Sequence, residues 1–306
     1  MRSTLFAITR GIAFPLAVIL ALGMAPSAVA DREGEAPPAA ESYKLPISPP
    51  RDQGGSDLCW AFATLSMLET NYRVRHPGSH IEFSRGALQR HAVADRLRRF
   101  NAGESRHLES GGLAVEAIGL IRDNGLVAES DYHDFVDPNA LVSPVVERVA
   151  ASDDDPALHA AIVETLGPIP AVTRLDGVVL TPAALGKAML GGETWTEYDL
   201  AADGVERIGP SSDPDARPET RVRYVPLSRL VGLIHSSLKR GEAVVWGSTD
   251  HALLIFGADY DRDGTPLAYW VKDSEPPYIS RTPAEDVHKV LTDVTVSDAS
   301  VAAASN

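Results

Sequence analysis

The sequence predicts an α+β protein, with helices in its first half and a β-sheet in its second. Two observations carry that reading. Between residues 58 and 124 apolar residues recur at three- and four-residue spacing, the period of helices with a buried face. After residue 242 come three short runs rich in Val, Leu and aromatic residues, each bounded by turn-forming or charged residues, as strands are. A 44% hydrophobic content over 306 residues is enough to bury a substantial core, as one large domain or two lobes.

Taken in order, residues 1–30 carry Arg2 and Arg10, an uncharged apolar run from Gly11, and Ala28-Val29-Ala30 before Asp31. This is the layout of a secretory signal peptide, so the chain is expected to be exported, to the periplasm or outside the cell. The run is also just long enough to span a bilayer; the small-residue site and the acidic, proline-containing stretch after it favour cleavage over anchoring. Cleavage takes the formal charge from -14 to -16, because two arginines and no acids leave. Such a chain repels nucleic acid and anionic lipid, which excludes both as partners. Residues 31–44 are polar and rich in Pro, Ala and Glu, and read as a flexible leader. The remainder is read as one domain, 45–298, with a helical lobe to 140, a linking region 141–225 and a β lobe from 226; residues 299–306 read as a disordered tail.

The central helix is expected from QGGSDLCWAFATLSMLE, residues 53–69. Leu58, Ala61, Phe62, Leu65, Leu68 and Tyr72 form its apolar face, and Cys59, the only cysteine, stands at its start. Unpaired N–H groups and the positive end of the helix dipole favour a thiolate there, and the thiolate is the nucleophilic form. A lone cysteine is by default a small buried hydrophobe. Two features reverse that default: an odd cysteine in an exported chain has no disulfide to explain it, and Gln53, across a Gly54-Gly55 turn, can bring an amide beside the sulfur as an oxyanion donor.

Ser84 reads as the N-cap of a helix over 85–100, whose Arg85, Arg90, Arg96, Arg98 and Arg99 are taken as a solvated basic face. A helix over 113–124 follows, stopped by Gly125. Residues 156–166 and 182–190 read as short helices, and 204–220 as a surface loop. A helix over 227–238 ends favourably in Lys239, Arg240 and Gly241. The strand-like runs are 243–246, 251–256 and 267–272, an antiparallel sheet facing the helices. His251 opens the second run and Asp273 follows the third. A lone histidine at a strand edge is usually structural, but a thiol nucleophile needs an imidazole to take its proton and the imidazole needs a third group to orient it.

No metal or other cofactor is expected. DYDRDGTP, residues 259–266, begins like a calcium loop with Asp259, Asp261, Asp263 and Gly264. Its twelfth position is Trp270 where a bidentate glutamate belongs, so a hairpin turn is the better reading. His76 and His80 are four apart, but Pro77-Gly78 breaks any helix between them.

QGGSDLCWAFA resembles the active-site block of the papain-like cysteine peptidases, keeping Gln53, Cys59, Trp60, Ala61 and Phe62 in register. It departs at Ser56, where most members carry a disulfide cysteine. Residues 109–135 resemble the family's second block, and the resemblance implies that the backbone of Gly111 and Gly112, with Trp60, contacts an extended substrate. DHALLIFG and YWVKDS resemble the histidine and asparagine blocks, with Asp273 standing where the family has asparagine and Glu275-Pro276-Pro277 replacing the usual tryptophan and glycine. The absent aromatic leaves the His251–Asp273 bond less shielded from water. The long hairpin after His251 is also similar to the bleomycin hydrolase branch.

The resemblance implies a two-lobe papain-like fold with a cleft between the lobes. It implies a peptidase acting on peptides or proteins through Cys59, His251, Asp273 and Gln53, without the long helical prosegment usual in the family. The alternative is a catalytically impaired pseudoenzyme that serves as a secreted peptide-binding module. A transferase passing the acyl group to an amine would use the same residues.

Overall fold

The computed structural model of the chain describes residues 39–104, 111–132, 167–212 and 220–298, together with 160, 163, 164 and 217. The expected signal peptide, the tail and nearly all of the helix read at 156–166 lie outside the described residues. The principal helices are α1 (Cys59–Arg75), α2 (Arg85–Asn101), α3 (Ala114–Asn124), α4 (Pro182–Leu190), α5 (Leu227–Lys239) and α6 (Ala284–Val290). The strands are β1 (Glu41–Lys44), β2 (Thr173–Leu175), β3 (Val178–Leu180), β4 (Trp195–Leu200), β5 (Arg207–Pro210), β6 (Arg221–Val225), β7 (Val244–Ser248), β8 (His251–Tyr260), β9 (Pro266–Lys272), β10 (Ile279–Pro283) and β11 (Asp293–Ser297). Among the described residues no helix is long and apolar enough to cross a membrane.

Helix α1 is the axis of the core. Every residue from Trp60 to Tyr72 is buried, so the helix is enclosed on all sides where its apolar spacing suggested one inward face. Its polar residues are each answered: Thr64 and Thr70 donate to the carbonyls one turn back, Asn71 Oδ1 accepts from Ala243 N at 2.8 Å, and Glu69 meets Arg85. Helix α2 starts as expected, with the Ser84 hydroxyl accepting from Ala87 N. Its basic face needs correction, because Arg85 and Arg90 are buried: Arg85 reaches into the core to Glu69, and Arg90 Nε donates to Gly167 O. Helix α3 ends at Gly125, whose φ of +87° is left-handed; a Cβ there would lie 2.2 Å from the Pro182 carbonyl carbon at the start of α4. Glycine thus both stops α3 and lets α4 pack against it.

Among the described residues nine strands join one sheet in the order β10-β9-β8-β7-β11-β4-β6-β5, with β1 pairing to β8. The pairs are antiparallel except β4–β6. This is the expected sheet with more strands than the sequence suggested. The stretches 195–200 and 221–225, read as part of a linking region, are strands of the same sheet, and 207–210, read as loop, pairs with β6. Glu41–Lys44, read as flexible leader, is fixed by its ladder to β8 between Gly257 and Tyr260. β2 and β3 form a separate hairpin. The turn between β8 and β9 is a hairpin: Asp261 Oδ1 accepts from Asp263 N and Thr265 N, while the Asp259 carboxylate takes Ser42, Trp270 and Arg281. One face of the sheet packs on α1, and the two meet where α1 and β8 begin.

Candidate active site

Cys59 is the first residue of α1. Leu58 before it caps the helix without a side-chain hydrogen bond, and no acidic residue lies in the first turn, so no carboxylate within that turn offsets the positive helix end at the thiol. The sulfur is free and half-buried. The β8–β9 pairing supplies its partners. With Leu254 opposite Lys272, the start of β8 and the residue after β9 fall at the same end of the ladder, which sets His251 beside Asp273. His251 Nε2 is 2.7 Å from Asp273 Oδ1, and Cys59 lies close enough to the ring to act on its charge. The bond to Asp273, then the influence of Cys59, outweighs burial and pushes the imidazolium up to about 10. Each side chain of the His251–Asp273 pair is 20% exposed, in keeping with the missing aromatic cover.

Gln53 is buried, and its amide is held at both ends. Ser274 Oγ donates to Oε1 at 2.9 Å, and Nε2 donates to Glu275 Oε1 at 2.9 Å; the Gln53 backbone N–H also bonds Ser274 O. Glu275 N in turn donates to Asp273 Oδ1 at 3.0 Å, so residues 273–275 tie the Gln53 amide and the histidine's partner into one unit. Where the family has a disulfide cysteine, the Ser56 hydroxyl donates to Gln53 O at 2.7 Å and closes the Gly54-Gly55 turn. A hydrogen bond thus holds the turn in the bridge's place.

These residues open onto a cleft of about 900 Å³, lined among others by Gln53, Cys59, Gly111, Gly112, His251 and Glu275. The structure therefore gathers all but one of the residues singled out in the sequence. The exception is Trp60, which is 1% exposed and does not line the cleft. The residue after Cys59 on a helix turns away from the opening; its ring packs under Gly112, where a Cβ would lie 3.0 Å from it, and beneath the Arg96 guanidinium. Trp60 supports the glycine wall instead of touching substrate.

Three further cleft residues escaped the sequence reading. Glu197 and Asp199 project from β4 and Asp293 from β11. Asp199 pairs directly with Asp293, and Glu197 with Thr295, so all of them share one sheet face. Glu197 Oε2 accepts from Thr295 Oγ1 and Val115 N, whereas its buried Oε1 has no hydrogen-bond partner. Burial, then the charges of Asp293 and Asp199, drive its carboxyl well above 4.5. The signal available was the alternation in WTEYDL, with both acids on one side and Thr196, Tyr198 and Leu200 on the other. Among the described residues no group of His, Cys, Asp and Glu is arranged to hold a metal ion.

A helix-borne thiol facing a strand-borne imidazole across an interlobe cleft is the arrangement of a papain-like protein, and the comparisons agree. The structure of pepw from Lactobacillus rhamnosis superposes with a TM-score of 0.71 at 16% identity, covering 88% of this chain and 84% of that one. In sequence the chain is similar to a cathepsin L-like proteinase of Phaedon cochleariae, 30% identical over 136 residues. That match covers 41% of this chain and 38% of the beetle protein, so the chain spans about two fifths of the length of the relative it matches. No family model matches. The fold is papain-like, and the sequence resembles the C1 cysteine peptidases.

Proposed function

We propose that the chain is an exported cysteine peptidase that hydrolyses peptide bonds through a thioester. The observation that carries this reading is the unbroken line Cys59–His251–Asp273 at the α1 N-terminus, opening on the cleft. Cys59 as thiolate, beside protonated His251, attacks the scissile carbonyl carbon. The carbonyl oxygen takes the negative charge between the Cys59 N–H and the Gln53 Nε2 hydrogen not given to Glu275. His251 passes its proton to the departing amine as the C–N bond breaks, leaving an acyl thioester and a neutral ring. A water then gives a proton to His251 and its hydroxide to the acyl carbon, releasing the acid and restoring the ion pair. Asp273 holds the ring in place and stabilises its cationic form. Export rests on Arg2, Arg10, the apolar run and Ala28-Val29-Ala30.

One observation favours a second reading, a peptide-binding module without turnover. The Glu275 carboxylate sits on the amide that must receive the oxyanion. Alkylation of Cys59 by iodoacetamide against pH separates the two. For a peptidase the rate stays high well below the ordinary thiol value of about 8.5, and His251→Ala slows it at pH 6 by about a hundredfold. A thiol that reacts only above pH 8, with no response to His251→Ala, sinks the peptidase reading.

A further inference from the structure

A second cavity, of about 260 Å³, lies beside β4, β5 and β6, lined by Tyr198, Glu206, Arg207, Ile208, Arg223 and Arg229 among others. Register explains the grouping. Ile208 of β5, Arg223 of β6 and Tyr198 of β4 are side by side, so they share one face of the sheet. Glu197 and Asp199, on either side of Tyr198 in β4, line the cleft and Tyr198 does not, so this row looks away from the cleft. Arg229 comes from the first turn of α5, which packs on β4 and β11. Three guanidinium groups line the cavity against one carboxylate, a local excess of positive charge in a chain whose formal charge is -14. Arg207 is paired with Asp203 and stacked on Tyr224. Arg223 is exposed and has no hydrogen bond or ion pair among the described residues. Tyr198 is 3% exposed, and its hydroxyl has no hydrogen bond among the described residues. That oxygen is not one of the unpaired polar atoms sealed from solvent, so it reaches solvent through the cavity. Arg223 and Arg229 stand close enough for their charges to favour its phenolate, with Glu206 and Asp298 opposing them. Helix α5 starts without a side-chain cap and without an acidic residue in its first turn, so no carboxylate within that turn offsets its positive end.

We propose that this cavity binds a phosphate group, free or carried by a small monoester, held by Arg223, Arg229 and the Tyr198 hydroxyl beside the start of α5. A buried hydroxyl left without a partner costs stability, and an anion in the cavity gives it an acceptor. The donors come from three elements, β4, β6 and α5. A phosphate presents three oxygens to such a set, where a carboxylate presents two, and the forked guanidinium of Arg223 can meet two of them at once. A helix N-terminus adds to the attraction for the same group. Size points to a small ligand, since the cavity falls below the roughly 300 Å³ at which pockets for drug-sized molecules begin. Charge points the same way, because a chain of net charge -14 repels a polyanion and can hold a small anion only where positive groups cluster. Ile208, 67% exposed beside Arg223, offers an apolar surface to the substituent of an ester. The proposal stands apart from the peptidase reading.

The test titrates the full chain with inorganic phosphate, glycerol phosphate and acetate by calorimetry, at ionic strength held constant with chloride so that general screening does not change. The expected result is one saturable phosphate per chain, weakened about tenfold in Arg223→Gln and about threefold in Tyr198→Phe, with acetate about tenfold weaker than phosphate. Glycerol phosphate binding tighter than inorganic phosphate identifies an ester as the ligand, and equal binding identifies the free ion; either supports the site. Absence of saturable binding up to about 10 mM of either phosphate overturns it, as does acetate that matches phosphate. Affinity unchanged in folded Arg223→Gln overturns the placement. A second measurement needs no variant: phenylglyoxal modification of the unaltered chain, mapped by peptide mass. Phosphate should slow the reaction at Arg223 and leave Arg262, exposed in the turn after β8, as it was. Equal rates at Arg223 with and without phosphate overturn the assignment.

Discussion

Glu69 and Glu197 are both shut away from solvent, yet their surroundings answer their charge in opposite ways. Burial pushes the Glu69 carboxyl up, and the Arg85 charge and hydrogen bonds more than reverse it, so it titrates below 4.5. Arg85 grips both of its oxygens, at 2.5 and 3.1 Å, and Phe83 N and the Ser48 hydroxyl complete the shell. Lys272 Nζ donates to Ser48 and, mainly through burial, is lowered to about 8. Glu197 has only a hydroxyl and one backbone N–H, and its charged neighbours are acids. The first network fixes α1, α2 and the end of β9 to one another. The second lines the cleft and leaves one buried Glu197 oxygen without a donor.

Breaking the paired side gives the largest effect. Arg85→Met leaves Glu69 buried and uncompensated, and urea unfolding should register a loss of about 3–5 kcal/mol. Gly247→Ala comes next: its Cβ meets the Asp293 carboxylate and forces it aside, for about 1–3 kcal/mol of stability in the same unfolding measurement. Glu197→Gln works in the other direction. The amide brings donors to the acid row and removes one charge, so at pH 7 the chain gains about 1 kcal/mol, a few degrees in Tm. The pH dependence of that gain sharpens the contrast. The Glu197 carboxyl is raised in the fold, so its contribution is complete below 4.5 and is lost as pH rises; the advantage of Glu197→Gln therefore fades by pH 4. Glu69 is lowered, so its contribution is present above 4.5 and is lost as pH falls, and thermal melts from pH 4 to 8 should separate the two signs. The smallest change is expected from Glu275→Gln. That carboxylate is exposed and screened, so freeing the Gln53 amide of its charge should raise the acylation rate only a few-fold, seen in single-turnover kinetics.

What could be read in advance was local. Ser84 and Gly125 announced the limits of two helices, and the apolar runs of β7, β8 and β9 announced strands. Cys59, His251, Asp273 and Gln53 were recoverable because each sits in a compact motif. β4 and β11 were not, because Glu197, Asp199 and Asp293 look like a solvent-facing stripe and only the fold reveals that the stripe faces a cleft. Arg85 misled for the converse reason: an arginine on a helix reads as surface until its glutamate is found sixteen residues away on another helix. β1 was missed because Glu41–Lys44 is polar and draws its order from a ladder more than two hundred residues distant.

The solitary sulfur at the head of α1 has a practical corollary. With one cysteine in 306 residues, every mole of thiol reagent consumed counts one intact Cys59. It also carries a vulnerability. Once oxidised to the sulfenic acid, Cys59 has no second thiol in its own chain to capture it as a disulfide. Rescue must come from a small-molecule thiol or another protein, and without one further oxidation removes the thiol for good.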